Sequence, residues 1–402
     1  MLDRCQTKIV RIRIILSTLG LLFAPSTISF PCLAQTQVEM RNEEGLKGNP
    51  AGVNVVLRTK DGRSTFHLFE TIPVELDFSS STPSTYSVEL DETMNFAGSA
   101  NRFEVSSDDS VFLTLSQIVS STAVCCASNK RYLSQKALTL KRELTDYLRF
   151  EKPGTYSLFF ITNRVFRNLG KKNDFGPSDL TITSNLLTLT ILPDDPEWDS
   201  QQLDSSLRKL RDPHVNANYL ATVRRAKQRE TEIDRDFAMT NVVSQTELVT
   251  AQKSLNVLDT DDAIHQRVKM MQMESKEDLE MTRKFDTGSV LSQPLLASTT
   301  RAEFLEATLR ERAEDPEFGV DYDYGDWWIR FLVQRDHPEL FRPTIDDLER
   351  QKRARDFSVH YGKAELTLLS ILESVVQNKK GEAQKVTAST IKVLRLFSSS
   401  RQ

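Results

Sequence analysis

Between residues 53 and 118, apolar and polar positions trade places every one or two residues. Gly, Pro, Asn, Asp and Ser cluster between them, which is the pattern of short antiparallel strands. It predicts strands at 53–57, 66–69, 74–78, 86–90, 103–105 and 111–118. Val74-Glu75-Leu76-Asp77-Phe78 and Tyr86-Ser87-Val88-Glu89-Leu90 alternate without a break, predicting one face on a core and the other in water. Residues 139–150 fit either period, because Leu140, Leu144 and Leu148 also have helical spacing. Further on, Pro153-Gly154 stands directly before an alternating strand that carries Tyr156, and 184–193 predicts a closing strand.

After Pro193-Asp194-Asp195-Pro196 the period changes, since two prolines flanking two acids neither continue a strand nor enter a helix interior. Ser244 with Glu247 and Thr300 with Glu303 match the capping box that opens a helix. Leu366, Leu369, Leu372 or Glu373, and Val376 trace a helical stripe, widened by Leu368, Ile371 and Val375, which neighbouring helices must bury. Helices of about 10 to 20 residues joined by short turns indicate an all-α region.

The stretch from Phe150 to Leu158 resembles the penultimate strand and tyrosine corner of immunoglobulin-like sandwiches, which implies that the Tyr156 phenol caps a nearby backbone group. The inter-sheet disulfide of antibody domains is not available here. Residues 251–271 and 295–332 are similar to HEAT-type helix pairs, which implies a curved surface that binds another macromolecule; an irregular bundle is the alternative. The expected fold is therefore multidomain. An immunoglobulin-like β-sandwich spans 45–193, a linker 194–198, and an α-helical, HEAT-like or irregular domain 199–402.

Upstream, Lys8, Arg11 and Arg13 precede an apolar run over 14–23, and Cys32-Leu33-Ala34 offers a small residue at the cleavage-type position. Residues 1–34 thus read as a signal peptide and 35–44 as a flexible mature start, placing the protein in the periplasm or outside the cell. Pro25, Ser26, Thr27 and Ser29 interrupt the run before it reaches the roughly 20 apolar residues of a spanning helix, so no transmembrane segment is expected after cleavage. The chain carries 52 basic and 56 acidic residues; losing Arg4, Lys8, Arg11, Arg13 and Asp3 leaves 48 against 55, a net charge of −7 that argues against nucleic acid as partner. Of four cysteines, only the neighbours Cys125 and Cys126 survive cleavage, as a vicinal disulfide, an intermolecular pair or buried thiols.

Motifs of catalysis are missing. His67, His214, His265, His337 and His360 have no zinc-ligand spacing, and neither a phosphate-binding glycine loop nor a G-x-S-x-G elbow occurs. Ser206 with Lys209 and Ser389 with Lys392 have S-x-x-K spacing without companion motifs, so no catalytic residue, metal or cofactor is assigned. The most unusual stretch is Asp321-Tyr322-Asp323-Tyr324-Gly325-Asp326-Trp327-Trp328. Its default reading is a helix capped by Asp326 with Trp328 inward. A recognition reading makes Tyr322, Tyr324 and Trp327 exposed anchors. The expectation is an exported, non-catalytic protein-interaction or scaffold protein with a protein partner. The alternative is a secreted hydrolase or glycan-binding protein using these acids and aromatics.

Overall fold

The computed structural model describes residues 36–90, 102–106, 110–114, 130–168, 180–270, 301–344 and 347–400. Residues 1–34, read above as a signal peptide, and Cys125, Cys126 and Thr300 lie outside them. The first described element is helix α1 (Gln37–Gly48), where a flexible start was expected. Thr36 and Glu39 close a capping box, each side chain bonding to the other's backbone N–H, which satisfies two otherwise orphaned donors. Val38 packs with Phe159 and Ile161, and Asn42 donates to the Ser184 carbonyl at 2.7 Å. Gly45 permits this approach: a Cβ there would lie 2.4 Å from Thr183 Oγ1.

Strands fill 53–192. In chain order they are β1 (Val53–Thr59), β2 (Thr65–His67), β3 (Pro73–Ser80), β4 (Tyr86–Glu89), β5 (Arg102–Val105), β6 (Val111–Leu113) and β7 (Lys130–Tyr132). Then come β8 (Leu138–Glu143), β9 (Leu148–Phe150), β10 (Gly154–Thr162), β11 (Val165–Arg167), β12 (Ile182–Thr183) and β13 (Leu187–Leu192). They pair as β1-β3-β8, as β12-β10-β13-β2 with β5 also on β10, as β11-β4-β7, and as β6-β9. All these pairings are antiparallel except β13 with β2. The ambiguous stretch 139–150 is strand, a 3-10 turn (Leu144–Asp146), then strand, and Leu140, Leu144 and Leu148 are all buried. Asn185 fastens β1 with both ends of its amide, accepting from Leu57 N at 2.8 Å and donating to Leu57 O at 3.0 Å.

The expected wet face of β3 and β4 needs correcting. Glu75, Ser87 and Glu89 are buried although they occupy the polar positions of the alternation. Glu75 is held by Arg58 on the neighbouring β1, so strand pairing supplies the partner that water would otherwise supply.

Helices fill the rest. Asp195 caps α2 (Pro196–Arg211), accepting from Glu197 N and Trp198 N with Pro196 at the first helical position, so the helix starts inside the expected linker. Asp212 caps α3 (Pro213–Lys227) and Thr231 caps α4 (Glu232–Asn241) in the same way. Next follow α5 (Glu247–Val257), α6 (Asp261–Met270) and α7 (Ala302–Glu314). The capping box expected at Ser244 is not what opens α5, and the one expected at Thr300 lies outside the described residues. Thr246 and Arg301 hold the N-cap positions of α5 and α7 without a side-chain bond. The chain ends in α8 (Tyr322–Asp336), the 29-residue α9 (Asp347–Val375) and α10 (Gly381–Ser400). Trp328 and Leu332 of α8, Leu368 and Leu372 of α9, and Ile391 and Leu394 of α10 share one core, and Gly325 brings α8 against Leu368 and Thr390.

From Thr36 onward the chain clusters as a single unit; one hydrophobic core includes residues of both its β-rich and helical regions, and a seam of polar contacts also joins them. Arg131 pairs with Asp234 of α4, and the Lys141 N–H donates to Asn241 Oδ1 at 2.7 Å. Lys253 of α5 reaches Asp146, and Arg149 reaches Asp259 in the α5–α6 turn, both at 2.7 Å. Farther along, Arg342 lies 3.7 Å over the Phe112 ring, and Arg350 of α9 stands 3.6 Å from Glu104. At the junction His67 stacks on Trp198, ring centroids 4.6 Å apart and planes within 8°.

Candidate functional site

Helix α8 begins at Tyr322 because Asp321, in extended backbone, accepts the Tyr324 N–H at 2.8 Å. The cap is therefore Asp321 and not Asp326. Asp326 sits a turn inside, where Arg330 Nε donates to its Oδ2 at 2.6 Å and the Tyr361 hydroxyl donates to its Oδ1. Burial and the adjacent Asp326 charge push the Tyr361 phenol up. Tyr322 is pushed up as well, by burial first and then by the charges of Asp326 and Glu365.

This cap sets the helix phase and so decides which aromatics face out. Tyr322 is 38 % exposed, and its ring meets Phe397 of α10, 43 % exposed, at 6.2 Å between centroids. Two residues on, about 200° around the axis, Tyr324 is 3 % exposed. Its hydroxyl donates to Leu309 O at 3.1 Å, and its ring stands edge-on to Trp328. The expected exposure of Tyr324 is thus corrected. Trp327 is half-buried and about 140° around the helix from Tyr322, so the three candidates do not form one surface. Trp328 is fully buried, as its inward reading requires.

The surface that does form pairs Tyr322 with Phe397, a residue absent from the sequence expectation. Leu396 and Phe397 fall beside the buried stripe Ala383, Thr387, Ile391 and Leu394 of α10, a signal visible in the sequence once that stripe is drawn. Leu366 of α9 is also exposed. Asp321 accepts the cap bond, and Asp326 accepts from Arg330 and from the Tyr361 hydroxyl.

His337 and His360, far apart in sequence, come together with ring centroids 3.5 Å apart. His360 is shifted down by burial and then by His337, and His337 Nδ1 lies 3.3 Å from Glu339. Among the described residues, no three His, Cys, Asp or Glu side chains converge as a metal-ligand set. An open depression of about 580 Å³ is lined by Asp204, Leu207, Arg208, Arg211 and Asp212, none of them a sequence candidate. No helix among the described residues is long and apolar enough to cross a membrane. No protein-family model matches the chain, and no curated protein is significantly similar to it.

Proposed function

We propose that this chain is an exported, non-catalytic protein-interaction or scaffold protein of the cell envelope or extracellular space, with Tyr322 and Phe397 anchoring its protein partner. The observation that carries the reading is their contact at the surface. Two exposed aromatic rings from different helices offer rigid, amphipathic area of the kind that dominates binding hot spots. On this reading the β-rich region is an immunoglobulin-like sandwich, supported by the tyrosine-corner bond from Tyr156 Oη to Lys152 O at 2.7 Å. The helical region is a HEAT-like or irregular stack, supported by the consecutive helices α5–α6 and α7–α8. Export rests on the n-region, apolar run and cleavage-type site within residues 1–34.

The test is crosslinking capture from the native envelope fraction with the chain from Gln35. A partner captured by the parent and by Tyr132→Ala, an exposed tyrosine elsewhere, but lost with Tyr322→Ala and Phe397→Ala, supports the reading. A partner retained by those two variants contradicts it.

A further inference from the structure

Two carboxyl groups along the seam are buried with one oxygen lacking a hydrogen-bond partner among the described residues. Glu143, at the end of β8, is 5 % exposed, and its Oε2 has no hydrogen-bond partner among the described residues. Facing it are Asp146 of the 3-10 turn, Lys253 of α5, which Asp146 already binds, and Lys60 from the turn after β1. Two carboxylates thus face the buried Lys253 and the exposed Lys60, and ionising Glu143 leaves a charged oxygen buried without a hydrogen-bond donor.

A second such site lies at the junction. Asp199, in the first turns of α2, is 3 % exposed, and its Oδ1 has no hydrogen-bond partner among the described residues. It hydrogen-bonds to Asp194 and faces Asp195, which caps α2, and Asp259, which Arg149 holds with Arg267 nearby. His67 of β2 faces the same turn through Trp198. Like charges held this close disfavour ionising both carboxyl groups.

We propose that Glu143 and Asp199 form a proton-operated latch: protonated, they let the β-rich region dock on α2, α5 and α6, and on ionising they loosen that docking while α8–α10 stay packed. The latch is independent of the partner surface on α8 and α10. Burial raises Glu143 to about 7, with the Asp146 charge adding to it and Lys253 opposing. Burial, then Asp194, raises Asp199 above the usual carboxylate range. The docked form therefore binds more protons than the loosened one. Docking is complete below the ordinary carboxylate range and weakens as pH rises through about 7.

Hydrogen exchange on the full chain at pH 5.5 and 8.5, corrected for intrinsic rates, tests this. The amides of 138–150 and 247–268 lose about tenfold protection or more at the higher pH, those of α8–α10 do not, and Glu143→Gln with Asp199→Asn abolishes the difference. Equal protection at both pH values, an equal loss in α8–α10, or a pH difference that survives in the double variant overturns the latch. Should that variant fail to fold, the parent comparison of the two sets of amides decides alone.

Discussion

Tyr322 and Tyr324 are two residues apart and of the same type, yet one is surface and the other core. The difference is helix phase, and the phase follows from the Asp321 cap. Tyr324→Ala is expected to cost about 3 to 5 kcal/mol, as for other large buried aromatics, and Tyr322→Ala about 0.5 kcal/mol or less; denaturant midpoints of the two variants check this. Tyr156→Phe removes the bond to Lys152 O but keeps the ring against Phe150, and should cost about 1 kcal/mol. That bond was legible from Pro153-Gly154 and the alternation after it, because a tyrosine corner is a local motif. Glu143 was not legible, since its burial depends on α5 reaching across from another part of the chain. Its folded value near 7 makes the fold lose stability as pH rises from about 4.5 to 7. Glu143→Gln should raise stability at pH 8 by up to about 3 kcal/mol and leave it nearly unchanged at pH 4, as urea unfolding at the two pH values would show.

Elements set by local alternation were legible, and those set by distant partners were not. The strand expected at 53–57 is Val53–Thr59 and that at 74–78 is Pro73–Ser80, because a two-residue period bounded by turn residues is a local signal. What covers the polar side of β4 is not local, and Glu89 is buried there. In α9 the expected face is buried at Leu368, Leu372 and Val375, with Leu369, Ile371 and Val376 packed against the same core, while Leu366, expected in the stripe, is exposed. A helix apolar over so wide an arc leaves open which edge meets solvent, and only its packing on α8 and α10 selects it. Helix α1 escaped notice because its capping box lies in a polar stretch that lacks a broad apolar face. Gly45→Ala drives a Cβ into Thr183 and should destabilise by about 1 to 3 kcal/mol, with exchange protection of α1 falling before that of β10.

For the whole molecule, a β-rich region followed by an all-helical one follows from the change of period at Pro193 to Pro196, where β13 ends and α2 begins. The polar seam between them could not be read in advance, since it joins Arg149 to Asp259 and Asp146 to Lys253 across roughly a hundred residues of chain. Ion pairs of this kind fix relative placement more than they add stability, which suits two regions that must dock in one register. The proposed partner surface lies on α8 and α10 and the proposed latch on Glu143 and Asp199, so each proposal can be tested without the other. Unlike the latch, the proposed partner surface presupposes that the protein works beyond the cytoplasmic membrane. The measurement that tests this most directly is the N-terminal sequence and compartment of the native protein. The account predicts a chain beginning at Gln35 in the envelope or extracellular fraction; a chain still carrying Met1 and recovered from the cytoplasm would contradict it.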